Sequence, residues 1–131
     1  MAAAESYPDD LRYHREHDWA RLEGDEAVFG ITWFAQDALG ELVHFEAPRL
    51  GAALTKDQAY AEVESVKAVS DVIAPLSGEV LAVNEKAVEE PETINGDPYG
   101  EGWLVRIRLS DASEADGLMA VDAYRAHVAE Q

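Results

Sequence analysis

Glycine and proline corners break this chain so often that most of its length can hold neither a long helix nor a long strand. Between Gly24 and Gly102 the breaks fall at Gly30, Gly40, Pro48, Gly51, Pro75, Gly78, Pro91, Gly96, Pro98 and Gly100. Proline fixes φ and lacks an N–H, and glycine supplies turn conformations, so each tends to end an element. What survives between them is short and of strand composition. Trp19 to Leu22 and Ala27 to Ile31 read as strands joined by a Gly24-Asp25 turn. Leu42 to Glu46, a run from Tyr60 through Val63, and Glu79 to Val83 follow. Leu104 to Leu109 alternates, with Val105, Ile107 and Leu109 on one face and Arg106 and Arg108 on the other.

Two helical segments interrupt the pattern. Thr32 is placed to cap a short helix from Trp33 to Leu39, which Gly40 ends. In the tail Val121, Tyr124 and Val128 share one helix face, so this helix should pack on the strands. The stretch from Glu85 to Gly102 reads as irregular. The pattern as a whole predicts a small, mainly β barrel or sandwich with a short internal helix and a C-terminal helix. Residues 1–10 are expected to be a flexible lead and 11–131 a single domain, since 131 residues fit one domain and not comfortably two.

Charge narrows the partners. Twenty-seven acids against ten bases leave a formal charge of -17, which repels nucleic acid and anionic membrane surfaces. Solubility, a high-salt habitat and steering toward basic partner surfaces would each account for it, and composition does not separate them. No cysteine is present, so any dithiol chemistry must come from an attached group. The opening Met1-Ala2-Ala3-Ala4-Glu5-Ser6 has no basic region and no apolar run of signal-peptide type. No window reaches the length of a membrane span. A monomer in the cytoplasm is expected, or in the mitochondrial matrix for a mature eukaryotic form.

One lysine stands out among three. Lys67 lies in Glu64-Ser65-Val66-Lys67-Ala68-Val69-Ser70-Asp71, on the bend from Ser65 to Ser70. An A-P-x-x-G frame flanks it on both sides, at Ala47 to Gly51 and at Ala74 to Gly78. A lysine that carries a group must sit on a rigid, exposed bend where a modifying enzyme can grip it, and Ser65, Ala68 and Ser70 keep the approach open. The same residues also suit an ordinary solvated turn lysine.

The segment Glu64 to Asp71 resembles the lipoylation site of the glycine cleavage system H protein family. Other blocks resemble the family in order and spacing. They are Tyr13 to Trp19 with His17-Asp18-Trp19; Gly30-Ile31-Thr32 with Ala35-Gln36 and Leu39-Gly40; Pro75 to Val80; Val83-Asn84; and Asn95 to Trp103. The resemblance covers about residues 7 to 128. Gly51, sixteen residues before Lys67, and Gly78, eleven after it, also resemble the wider lipoyl-domain pattern.

The resemblance implies a lipoyl-domain-like barrel-sandwich hybrid and a non-catalytic carrier with lipoic acid in amide linkage to Lys67. It implies that the arm takes an aminomethyl group from a pyridoxal-phosphate glycine decarboxylase and delivers it to a tetrahydrofolate-dependent aminomethyltransferase. A flavin-dependent (FAD) dihydrolipoyl dehydrogenase then reoxidises the dithiol, and a lipoyl ligase or transferase installs the arm in the first place. By position, His17, Asp18 and Asp71 correspond to the surface cleft that shelters the loaded arm. Four positions depart from the family: Asp18 stands for a usual Glu, Trp33 for a common acid, His44 interrupts an apolar strand, and Asp57 replaces a turn glycine.

Other classes are weaker. Ser65, Ser70 and Ser77 lack a G-x-S-x-G frame, and no phosphate-binding glycine loop occurs. A biotin carrier lysine lies between methionines, whereas Met1 and Met119 are remote from Lys67. His14 and His17 have no third ligand in view, so no metal is expected. An H-like protein donating lipoate to other complexes stays compatible with the sequence.

Overall fold

The computed structural model describes residues 3–131. Its strands are β1 (Arg12–Tyr13), β2 (Asp18–Glu23), β3 (Glu26–Ile31), β4 (Leu42–Glu46), β5 (Ala53–Leu54), β6 (Ala59–Ser65), β7 (Val69–Ile73), β8 (Gly78–Val83) and β9 (Val105–Leu109). The α-helices are α1 (Trp33–Leu39), α2 (Glu85–Glu89), α3 (Glu92–Gly96) and α4 (Val121–Ala129), with a 3-10 turn at Ala112–Gly117. A six-stranded sheet in the order β1-β2-β3-β9-β8-β5 faces a three-stranded sheet in the order β4-β6-β7. Every strand pairing is antiparallel.

Alternation along β2 and β3 feeds two cores. Ala20, Ala27, Phe29 and Ile31 point inward and meet Leu42, Phe45, Val63 and Val72 of the smaller sheet. Trp19 and Val28 point the other way, into a second cluster with Tyr7, Leu11, Tyr13 and Tyr124. Each large side chain so buried contributes about 1.5–3 kcal/mol. The tail helix α4 therefore packs on the outer face of the larger sheet, where Tyr124 stacks on Tyr13 at 4.5 Å and 7°.

The segment read as irregular contains two one-turn helices. Asn84 caps α2, its side chain accepting from Lys86 N–H at 3.2 Å and donating to the Glu101 and Trp103 carbonyls, each at 2.7 Å. The buried Asn95 in α3 donates to Gln36 Oε1 and to the Gly40 carbonyl and accepts from Leu42 N–H. Five-residue helices are too short to show a 3.6-residue period, and here side-chain caps and ties hold them.

Within the segment expected to be a flexible lead, Ala3 and Tyr7 make contacts to the barrel; residues 1 and 2 fall outside the described part. Ala3 N–H donates to the Asn95 carbonyl at 3.0 Å, and Trp33 Nε1 donates to the Ala3 carbonyl at 2.7 Å. Tyr7 is buried with its ring 5.6 Å from Tyr124, which gives the lead an apolar anchor.

The A-P-x-x-G echo is one of sequence and not of conformation. Gly51 has φ +82°, whereas Gly78 is required because a Cβ there would collide with the Arg108 carbonyl.

Candidate functional site

β6 and β7 form a hairpin whose register pairs Glu62 with Asp71, Val63 with Ser70 and Glu64 with Val69. Val63 and Val72 are buried while Glu62, Glu64, Val69 and Asp71 are exposed, as expected for strands with one face on the core. The connection is Val66, Lys67 and Ala68, all exposed.

Ser65 builds this turn. Its hydroxyl, in a residue only 3% exposed, accepts from the backbone N–H of Lys67 at 3.3 Å and of Ala68 at 3.1 Å. Ser65 N–H also donates to the Ala68 carbonyl at 2.8 Å. In sequence Ser65 reads as a small neighbour that leaves room; the structure makes it the internal tie of the bend. A serine two residues before the turn residue it holds is the available signal, since such side chains bond to backbone a few residues on.

The Lys67 amine makes no hydrogen bond or ion pair among the described residues. Its stem lies across the end of α1, with Cε 3.4 Å and Nζ 3.9 Å from the point a Cβ on Gly40 would occupy. Gly40 has φ 86° and ψ -164°, a region open essentially to glycine alone. The other two lysines differ: Lys56 is 3.4 Å from Asp57 Oδ1, and Lys86 lies within α2. A turn with a solvent-facing primary amine and no competing partner fits attachment of an acyl group through an amide.

The three cleft candidates do not share one environment. Asp71 is exposed on the outer face of the smaller sheet. Asp18 is 2% exposed and lies at the head of β2. Burial pushes its carboxyl well above the usual range, while hydrogen bonding from the Ile73 backbone works in the opposite direction. Its Oδ2 and the Tyr60 hydroxyl are both buried without a hydrogen-bond partner among the described residues. His17 is half-buried at φ 73°, bonded through Nδ1 to the Tyr124 hydroxyl at 2.8 Å and stacked on His127 at 5.4 Å. Burial, followed by the neighbouring His127, lowers its pKa. No side-chain hydrogen bond or ion pair joins His17, Asp18 and Asp71 to one another. His14 turns away from His17, toward Asp57 Oδ1 at 2.6 Å.

Two facing antiparallel sheets with an exposed lysine on a hairpin of the smaller one define a lipoyl-domain-like carrier of the barrel-sandwich type. The family model for the glycine cleavage H-protein matches residues 11–131, and the chain belongs to that family. A probable glycine cleavage system H protein of Haloarcula marismortui is 52% identical over 118 residues, 90% of this chain and 93% of that one. The glycine cleavage system H protein of Symbiobacterium thermophilum is 49% identical over 123 residues, 94% of this chain and 96% of that one. The crystal structure of a glycine cleavage system H protein from Mycobacterium marinum superposes with a TM-score of 0.85 at 38% identity, covering 92% of this chain and 97% of that one. The chain is a lipoyl carrier of the glycine cleavage system, a non-catalytic subunit that works with the enzymes of that system.

Proposed function

We propose that Lys67 is the residue to which lipoic acid is joined in amide linkage. The observation that carries this reading is the Ser65-tied turn, which presents the one lysine that is neither ion-paired nor helical. When attached, the lipoyl group supplies the dithiol that the cysteine-free chain lacks. The chain's own residues supply presentation. Ser65 fixes the turn, Gly40 leaves room for the lysine stem, and the hairpin pairing holds the bend on a rigid sheet.

In this reading the carrier visits glycine decarboxylase, aminomethyltransferase and dihydrolipoyl dehydrogenase in turn, after loading by a lipoyl ligase or transferase. Tethering turns each transfer into a local event at high effective concentration. Asp71 offers an exposed carboxylate to a cationic amine. Asp18 and His17 contribute to such a cleft through the interior, since their contacts are internal. No helix among the described residues is long and apolar enough to cross a membrane, and the bacterial and archaeal relatives fit a cytoplasmic carrier.

The test is peptide mapping after incubation with a lipoyl ligase, lipoate and ATP. A single lipoyl addition on Lys67 is expected, followed by glycine-dependent NADH formation in the reconstituted system. A lipoyl group on Lys56 or Lys86, or a biotinyl mass from expressing cells, would refute the assignment.

A further inference from the structure

Among the described residues five large hydrophobic side chains are exposed, and three of the five lie at or beside the Lys67 hairpin. Val66 is 79% exposed, Val69 59% and Val43 49%. The other two, Leu22 and Leu50, lie elsewhere: Leu22 on the larger sheet and Leu50 in the loop beyond the far end of β4. Local structure places the three valines at one end of the smaller sheet. Val66 is in the turn itself. Val69 opens β7 opposite Glu64. Val43 sits at the irregularity in the β4–β6 pairing, between Leu42 opposite Ser65 and His44 opposite Glu64. A bulge leaves one residue unpaired and re-aims its side chain, and here Val43 and His44 are both exposed in succession. Three solvent-facing aliphatic side chains near one lysine, on a chain of charge -17, offer a partner apolar contact where the rest of the surface is charged.

Acids flank the valines and separate them, with Glu64 lying between Val69 and the β4 bulge. Glu41, Glu62, Glu64 and Asp71 are exposed on the same two hairpin strands or at the start of β4. A complementary surface therefore carries apolar and basic groups side by side.

Reach selects the occupant. An enzyme acting on the far end of an attached arm can remain an arm's length from the hairpin. An enzyme that forms the amide must bring its acyl donor to Nζ itself, at the end of a four-carbon stem, and so must touch the residues on either side of Lys67. We propose that Val43, Val66 and Val69 form the docking collar for the lipoyl-attaching enzyme, which carries an activated lipoyl carbonyl in an apolar channel with basic groups beside it. This rests on Lys67 being the attachment residue. In the step served, Nζ contributes the electron pair of the new N–C bond. The bond from the lipoyl carbonyl carbon to its activating group breaks, that group leaves with the bonding pair, and the ammonium nitrogen sheds two protons in all.

The experiment measures lipoyl transfer to the intact apo chain by a lipoyl ligase with lipoate and ATP, followed by intact mass, for wild type and Val43→Ser/Val66→Ser/Val69→Ser. The triple variant should lose about tenfold or more in kcat/KM for the carrier, mainly through KM, as expected when an apolar contact is removed. Leu22→Ser/Leu50→Ser should load like wild type. Once loaded by long incubation, the triple variant should be reduced and reoxidised by dihydrolipoyl dehydrogenase at the wild-type rate, and its thermal unfolding should be unchanged. Equal loading of the triple variant and wild type on Lys67 would overturn the collar alone. Addition to another lysine in the wild type would overturn the Lys67 assignment, and the collar with it.

Discussion

The Ser65 hydroxyl accepts the backbone N–H of Lys67 at 3.3 Å, so a residue inside the barrel sets the conformation of the residue that faces solvent. The same oxygen takes the Ala68 N–H at 3.1 Å. Ser65→Ala removes the one oxygen that accepts both bonds, and a net hydrogen bond is worth about 0.5–1.5 kcal/mol. A loss of about 1–2 kcal/mol in urea unfolding is expected, together with slower lipoyl transfer to Lys67. Unchanged stability and loading would show that the hairpin pairing holds the turn without Ser65.

Much of this site was legible. Ser65 to Ser70 read as a bend between strands, Thr32 as a helix cap and Gly40 as a helix stop, because these are local signals set by neighbours in sequence. The depth of Asp18 was not legible. The resemblance placed Asp18 by position in a surface cleft, and β2 has Asp18, Trp19 and Ala20 buried in succession. Alternation reads one covered face, whereas this strand is covered on both, by the smaller sheet inside and by Tyr7, Leu11 and Tyr124 outside. The two-residue strands β1 and β5 escaped notice for a related reason: their pairing partners, Trp19 to Ala20 and Gly78 to Glu79, are tertiary information.

Asp18 leads to a pH prediction. Its raised native pKa means that the folded state holds a proton that the unfolded chain, with a carboxyl pKa of about 3.9, has already released. Stability therefore falls as pH rises from about 4 toward the raised native value. Asp18→Asn, which removes the buried charge, should be more stable than wild type at pH 7 by about 1 kcal/mol or more, and the difference should close below about pH 4. Denaturant unfolding at several pH values checks this; a variant equally destabilised at every pH would contradict it.

Asp57 takes φ 72° and bonds the buried His14. Glu16 N–H donates to His14 Nδ1 at 3.0 Å, so Nε2 carries the proton given to Asp57. Asp57→Gly relieves the backbone but orphans His14, whereas Asp57→Ala keeps the strain and also loses the bond. The expected order of stability is wild type, then Gly, then Ala, with losses of about 1 and about 2 kcal/mol. The His14 hydrogen bond, with Lys56 assisting, holds the Asp57 carboxyl below its usual range. Its stabilisation is thus complete above about pH 4 and lost as pH falls through the lower native pKa. Thermal unfolding from pH 7 to pH 3 reads both effects; a Gly variant as stable as wild type would remove the His14–Asp57 bond from the account.

The most direct test of the carrier assignment is intact mass of Lys67→Arg after exposure to a lipoyl ligase with lipoate and ATP. Arginine keeps the charge and much of the stem, but its guanidinium does not form the amide. Lys67 is exposed on a turn, so stability should move by no more than about 0.5 kcal/mol. The expected result is a folded protein with no lipoyl addition and no glycine-dependent NADH formation with the partner enzymes, beside a wild type that gains one lipoyl group. A Lys67→Arg variant that still gains the lipoyl mass and supports that flux would place the arm on another residue and contradict the account.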